Sequence, residues 1–221
     1  MNKEKPILFN TEMVQAIMSG RKAMTRRIVK KHYNNTDIEK HGDGTLMEVQ
    51  NDTPPDIYNP ETKTITRHVK MCVPIDRPYK VGDVLWVRET WQSFFPEEVT
   101  EKHKQGPRSF SGIPAESAKG HHMYFYYQAD GKVENALWKP SIHMPRSAAR
   151  IFLKVTNIRV ERLREITAQE CVNEGITVNQ YENEIVTFIN LWDGINQKCG
   201  YGWDVNPWVW IVEFERIEGG K

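Results

Sequence analysis

Two long stretches in the second half of the chain alternate apolar and polar residues, and they constrain the fold more than any other feature. The first runs from Arg150 to Leu163, with a bulge predicted near Asn157, and the second runs from Trp208 to Phe214. A shorter run, Val84 to Glu89, is typical of a largely buried central strand. We therefore predict a mostly antiparallel sheet that includes these three strands.

Three helical segments accompany these strands. The first spans Thr11 to Ser19, with Thr11 as its N-cap, and stops at Gly20. The second begins at the capping box Thr167-Ala168-Gln169-Glu170 and stops at Gly175. The third runs from about Glu182 to Gln197, and its single apolar stripe is more typical of core packing than of a cofactor site. The combination predicts an α+β fold.

Two polar stretches interrupt the pattern. Residues 34 to 64 are rich in Asn, Asp, Thr, Gly and Pro, which favours a loose insertion, and residues 96 to 120 are typical of a long surface loop that covers a site. A length of 221 residues suits one domain. We predict a single domain over 1–221 with insertions at about 34–77 and 92–120.

Composition narrows the function classes. The formal net charge is +1, so any affinity for nucleic acid must come from a local basic patch and not from a global field. The three cysteines are far apart, and the histidines lack metal-site spacing, so we expect neither a disulfide framework nor a metal site. No apolar run is long enough to span a membrane. We expect a soluble cytoplasmic protein without a cofactor.

The segment from Gly20 to Arg27 supplies that basic patch, with four cations and one hydroxyl directly after the first helix. We predict an extended chain from Met24 to Val29, in which alternate side chains point to opposite faces. Lys22 would lie in the turn and Thr25 near the start of the strand, so that ammonium and hydroxyl face one cavity. The alternative interpretation is a solvated basic turn.

Glu174 is the second candidate group, because it falls at the end of the second predicted helix. The helix dipole disfavours a carboxylate at this end, so Glu174 requires a nearby cation or a functional role.

Three motifs in this order resemble the ASCH family: Gly20-Arg21-Lys22-x-x-Thr25-x-Arg27, then Val81-Gly82-Asp83-Val84-Leu85, and a late Val-Glu-Phe strand. The tracts Trp86 to Trp91 and Gly200 to Trp208 are similar to those of larger ASCH proteins of bacteria and prophages. The resemblance implies a PUA-like fold, which is a partly closed β-barrel with flanking helices and a cleft beside the first motif.

One branch of that family is similar to amidohydrolases that remove the acetyl group of N(4)-acetylcytidine. The resemblance implies Lys22, Thr25 and Glu174 as catalytic residues. Amide hydrolysis needs a nucleophile and a base that activates it, and these are the roles expected of Thr25 and Lys22. Burial and the neighbouring arginines would lower the pKa of Lys22, whereas Glu174 would raise it. The candidate substrate-binding residues are Arg21, Arg27, Trp91, His143 and Arg146. Arg26 points away from Arg27 on the strand and is expected to be solvated.

Other interpretations stay open at this point. The same cationic cleft suits a non-catalytic module that binds RNA or a phage-related partner, or a ribonuclease that acts on single-stranded RNA. Trp91 is more typical of a core residue than of a base-stacking one, and His143 with Arg146 is more typical of a surface loop. The expected partners are a nucleoside or single-stranded RNA, and no membrane.

Overall fold

The computed structural model describes residues 3–33, 36–51, 57–66, 71–94, 115–116, 122–131, 137–178 and 182–218. The strands are β1 (Glu4–Leu8), β2 (Met24–Ile28), β3 (Thr36–Lys40), β4 (Leu46–Gln50), β5 (Ile57–Asn59), β6 (Thr64–Thr66), β7 (Cys72–Pro74), β8 (Val84–Arg88), β9 (Trp91–Phe94), β10 (Ala115–Glu116), β11 (His122–Tyr127), β12 (Phe152–Arg162) and β13 (Trp208–Ile217). The helices are α1 (Thr11–Met18), α2 (Ala168–Asn173) and α3 (Glu184–Asn196).

A five-stranded sheet in the order β1-β8-β12-β13-β2 forms the centre of the molecule. Its neighbouring strands are antiparallel, except that β1 pairs with β8 in parallel. The three strands expected from alternation are β8, β12 and β13, so the α+β class and the mostly antiparallel sheet are confirmed. The sheets of the described residues are not closed into a barrel, and the PUA-like barrel is not confirmed.

A bulge in β12 keeps one apolar face of this long strand continuous. The register against β13 shifts between Val155 and Asn157, as the sequence predicted. Val155 and Ile158 are an odd number of residues apart, yet both lie in the same core cluster with Leu153 and Val160. The extra residue thus restores the face that a simple alternation would have lost.

Strand β13 is apolar on both faces because each face is covered. Trp210, Val212 and Phe214 pack into the core beside α1, and Val209 and Ile211 pack into the core beside α2 and α3. A strand buried on both sides has a nearly continuous apolar sequence. The main sheet therefore lies between two layers.

The insertion at 34–77 is not loose where the structure describes it. Strands β3, β4 and β7 form their own three-stranded sheet, and β5 pairs with β6. Leu46, Val49 and Ile75 join the main core, which corrects the expectation of a loose segment. Most of the insertion expected at 92–120, which includes the expected surface loop at 96–120, lies outside the described residues. The described part of this insertion belongs to the sheet β10-β11-β9.

A buried carboxylate in β4 binds the chain at the start of this insertion. Glu48 of β4 accepts hydrogen bonds from the main-chain N–H of His32 and Tyr33, at 2.8 and 2.7 Å, and from the Thr36 hydroxyl at 2.6 Å. Burial alone would raise the pKa of Glu48, but these hydrogen bonds outweigh it and hold the pKa at about 2.

A second buried charge cluster joins β8 to the start of β12. The Arg150 guanidinium donates to both carboxylate oxygens of Glu89, at 2.9 Å each, and to those of Asp130 at 2.8 and 2.7 Å. Arg150 also lies 3.9 Å from the centre of the Tyr127 ring. Burial raises the pKa of the Glu89 carboxyl, against the opposing effect of Arg150.

The helices follow their sequence signals closely. The N-cap of α1 is Asn10 and not Thr11, because the Asn10 side chain accepts the N–H of Met13 at 2.8 Å. The capping box of Thr167 and Glu170 opens α2 as expected. None of the helices in the described ranges is both long and apolar enough to cross a membrane.

Candidate active site

The turn after α1 delivers Lys22 to the end of α2. The main-chain N–H groups of Arg21 and Lys22 both donate to the carbonyl of Ala16, at 2.9 and 3.1 Å. Lys22 then forms an antiparallel bridge with Glu174, and the N–H of Ala23 donates to the carbonyl of Asn173 at 2.8 Å. The last turn of α2 thus continues the edge of the main sheet next to β2.

Lys22 and Glu174 form a buried ion pair. The Lys22 ammonium donates to Glu174 Oε2 and to the Glu174 carbonyl, at 2.7 Å each. The Lys22 side chain has no exposed surface, and that of Glu174 is 7% exposed. Burial lowers the pKa of Lys22, although the attraction of Glu174 opposes this shift. Lys22 is therefore the nearby cation that a carboxylate at the end of α2 requires. Because its pKa is lowered, Lys22 loses its proton at a lower pH than a lysine in water does.

Arg26 is also a part of this cluster, which corrects the expectation that it is solvated. It is 5% exposed, and its guanidinium contacts Glu174 Oε1 at 3.3 Å and Glu170 Oε2 at 3.0 Å. The expectation failed because α2 and α3 cover this face of β2, where Arg26 also lies 5.9 Å from the Phe188 ring. Glu174 therefore contacts one cation on each side.

Charges of opposite sign continue from this cluster toward the surface. Glu170 pairs with Arg159, which in turn pairs with Glu161 and Glu213. Each charged group contacts a partner of opposite sign, which compensates part of the cost of burying it. This arrangement fixes the orientation of Glu170 and Arg26 and, through Arg26, of Glu174.

Thr25 and Arg27 point to the opposite face of β2 from Arg26. Thr25 is 3% exposed, and within the described chain its hydroxyl has no hydrogen-bond partner. Arg27 is half-buried, donates to the Leu8 carbonyl at 2.7 Å, and lies 5.1 Å from the Phe9 ring. The Lys22 ammonium lies 5.6 Å from the centre of the same ring, so Phe9 is close to two cations.

A cleft of about 290 Å³ opens along β2, and we call it the β2 cleft. One wall is β2 itself, with Thr25, Arg26, Arg27 and Ile28, and Glu174 lies at its inner end. The other wall is one face of α3: Phe188, Leu191, Trp192, Ile195 and Asn196. Lys30 is exposed and lines the same cleft. The cleft thus combines an apolar wall with a cationic one.

A second cavity, of about 330 Å³, lies on the other side of Glu174. It is more polar, and its lining includes Arg21, Gly175 and Thr177. Glu174 borders both cavities, as do Met13 and Leu191.

The sequence-based site residues divide into two groups. Thr25, Arg27 and Glu174 line the β2 cleft, Lys22 lies behind it in its ion pair with Glu174, and Arg21 lines the neighbouring polar cavity. Their catalytic and binding roles stay predictions.

Trp91, His143 and Arg146 line neither cavity. Trp91 packs into a separate core against Phe125, His143 is exposed, and Arg146 pairs with Glu4 at 2.8 Å. The structure therefore offers no contact between these three residues and the Lys22 cluster.

Sequence reasoning missed Arg26, Lys30 and the α3 wall. The apolar stripe of α3 was recognised, but it was assigned wholly to the core. One side of that stripe is only partly covered by the core: Ile195 is exposed, and Leu191 and Asn196 are half-buried. Incomplete burial of this kind indicates that the helix lines a cleft. Among the described residues, no group of three or more His, Cys, Asp or Glu side chains is placed to hold a metal ion.

The arrangement brings together a hydroxyl, a buried amine of lowered pKa, an oriented carboxylate and a guanidinium. Hydrolysis of an amide requires groups of these types: a nucleophile, a proton acceptor and a donor for a developing oxyanion. No protein-family model, curated protein or solved structure matches this chain.

Proposed function

We propose that the protein hydrolyses the exocyclic amide of an acylated nucleoside such as N(4)-acetylcytidine, with the base bound in the β2 cleft. The observation that carries this proposal is the buried ion pair of Lys22 and Glu174, whose carboxylate residue lines the same cleft as Thr25. The resemblance of Gly20 to Arg27 to the ASCH motif, and with it a PUA-like ancestry of the fold, belongs to the same proposal.

In the proposed reaction, Thr25 Oγ adds to the acyl carbon and its proton passes to neutral Lys22. The bond from the acyl carbon to the cytosine nitrogen then breaks, and the amine leaves with a proton. Water hydrolyses the resulting acyl ester of Thr25, which releases the acid and restores the hydroxyl.

Glu174 and Arg27 have supporting roles. Glu174 orients Lys22 and, because it also borders the cleft, is placed to hand a proton to the leaving amine. Arg27 is half-buried at the cleft wall and is the candidate donor to the oxyanion. Since the Lys22 side chain is fully buried, it acts through Thr25 and Glu174 and not through contact with solvent.

Incubation of the purified protein with N(4)-acetylcytidine tests the proposal, with cytidine and acetate measured by chromatography. Thr25→Ala should abolish release, because it removes the nucleophile without opening a large cavity. Thr45→Ala, in the turn between β3 and β4, is the matched control and should retain full turnover. The proposal fails if the wild-type protein releases no cytidine, or if Thr25→Ala releases it at the wild-type rate.

RNA recognition without turnover is the second candidate. It is favoured by Lys30, which is exposed and extends the cationic wall of the cleft beyond Arg27. A wild-type protein that leaves acylated nucleosides intact, yet binds single-stranded RNA in a manner weakened by Arg27→Ala, would favour this module. The same incubation detects ribonuclease action as shortened RNA. A lack of both binding and turnover would favour a phage-related protein-interaction module.

A further inference from the structure

The hydrogen-bonding pattern between β2 and β13 fixes where the peptide groups of β2 point. The N–H of Val29 donates to the carbonyl of the directly opposite Trp208, and the N–H of Phe214 donates to the carbonyl of the opposite Ala23. In an antiparallel pair, such positions alternate with positions whose peptide groups point away from the partner strand. The odd-numbered residues of β2 therefore face β13.

The even-numbered residues Met24, Arg26 and Ile28 direct their N–H and C=O groups to the outer edge of the sheet. Strand β2 is the last strand of the sheet on this side. Nothing in the described part of the chain forms a main-chain hydrogen bond with these three residues from outside the sheet. Arg26 and Ile28 both line the β2 cleft, which therefore runs along the edge to which these peptide groups point.

The free edge is short because α2 closes one end of it. At Ala23, just before β2, the alternation breaks: its carbonyl still bonds to Phe214 of β13, but its N–H turns outward to the Asn173 carbonyl, and the preceding Lys22 bridges Glu174. An added peptide strand gains its affinity from a long series of main-chain hydrogen bonds. An edge that offers few free positions and ends at a charged cluster suits a small planar ligand better.

The opposite wall completes the match to such a ligand. Phe188, Leu191 and Trp192 present aromatic and apolar groups across the cleft from β2. A nucleobase has apolar faces and alternating donors and acceptors on its rim, which is the pattern of these two walls.

We infer that the main-chain groups of Arg26 and Ile28 in β2 form hydrogen bonds with the edge of the base, while α3 packs against the face of the base. This inference rests on the proposed function, since it assigns the recognition element of the same cleft. Selectivity for the base then comes from peptide groups, which every substitution except proline leaves in place.

Proline at position 28 tests the inference, because it removes one outward N–H and keeps the bonds to β13. Edge strands tolerate proline where the N–H points outward. Ile28→Ala is the matched control, since it removes the side chain but keeps the N–H. Both changes are made in a Thr25→Ala protein, so that N(4)-acetylcytidine is not consumed, and calorimetry measures its dissociation constant.

We expect Ile28→Pro to weaken binding about ten-fold and Ile28→Ala to weaken it no more than about two-fold. Equal affinity of the two variants would overturn the inference. If the wild-type protein still turned over N(4)-acetylcytidine in that case, the proposed function would stand. Absence of both binding and turnover in the wild-type protein would overturn both. Binding of a hexapeptide of alternating Val and Glu, in place of the nucleoside, would replace base recognition with strand addition.

Amide hydrogen exchange, read by NMR on the Thr25→Ala protein, decides the matter if Ile28→Pro does not fold. The amides of Arg26 and Ile28 should exchange faster than those of Arg27 and Val29 in the free protein. N(4)-acetylcytidine should slow the two outward amides by at least about the ten-fold that one hydrogen bond provides. Unchanged exchange at saturating nucleoside would overturn the inference.

Discussion

Removal of the Glu174 charge should cost more stability than removal of the Lys22 charge. The asymmetry follows from their partners. In Lys22→Met, Glu174 keeps Arg26 at 3.3 Å. In Glu174→Gln, the fully buried Lys22 ammonium keeps neutral acceptors, the main-chain carbonyl and the amide oxygen of residue 174, but no described carboxylate. A buried charge that loses its partner costs about 3–5 kcal/mol, which we expect for Glu174→Gln. Loss of one charged hydrogen-bonding partner costs about 1.5–3 kcal/mol, which we expect for Lys22→Met.

The double variant provides the decisive measurement. Lys22→Met with Glu174→Gln removes both charges, so it should be more stable than Glu174→Gln alone, with a coupling energy of at least about 1 kcal/mol. Urea unfolding at pH 7, followed by tryptophan fluorescence, gives the free energy of unfolding of the four proteins. A double variant that is less stable than Glu174→Gln would refute the reasoning, because it would mean that the two side chains contribute independently.

The pH dependence supplies a second test of the same pair. The pKa of Lys22 is lowered in the folded protein, so the unfolded chain binds more protons between the folded and the unfolded pKa. Stability therefore rises with pH across this range. In Glu174→Gln the attraction that opposes the shift is lost, so the rise in stability should begin at a lower pH, and the deficit of this variant should shrink as the pH approaches 10.5, the ordinary lysine value.

Three further predictions concern stability. Glu48 has a pKa of about 2 in the folded protein against an ordinary 4.5. Its contribution to the free energy of unfolding is therefore complete above pH 4.5 and is lost as the pH falls toward 2. Acid titration of the wild-type protein should show a loss of about 3 kcal/mol that Glu48→Gln lacks. Gly175→Ala should destabilise the protein by about 1–3 kcal/mol in urea unfolding, since φ is +91° and the new Cβ would lie 2.9 Å from the Cβ of Ala16. Gly194→Ala in α3 meets open space and should stabilise the protein by about 0.5–1 kcal/mol. Arg150→Met should cost about 3–5 kcal/mol in the same assay, because it strands the buried carboxylate of Glu89, and a change under about 1 kcal/mol would contradict this account.

The main sheet could be predicted from sequence because burial imposes a pattern on each strand. Strand β12 shows its alternation and its bulge at Asn157 directly, and β13 shows the continuous apolar run of a strand covered on both faces. The insertion could not be predicted in this way. Its strands β3 and β4 are short and separated by Gly and Asp, so local composition indicated a loop although Leu46 is buried in the main core.

The site was predictable only in part. Lys22 and Glu174 are 152 residues apart, and no local pattern places two such residues in contact; their pairing came from the family resemblance. Alternation correctly put Arg26 and Arg27 on opposite faces of β2, but it does not say which face a distant helix covers. For the same reason Trp91, His143 and Arg146 were assigned to a cleft that they do not line.

The position of β2 at one edge of the sheet has a consequence for the order in which the protein is made. The chain emerges from the ribosome with its N-terminal residues first. Lys22 and Thr25 are therefore synthesised long before β13, which holds β2 in place, and before Glu174. Closing such long loops comes late in assembly, after local contacts have formed. A nascent chain that stops short of Glu174 cannot form the ion pair with Lys22, and one that stops short of β13 lacks the strand that holds β2 in place.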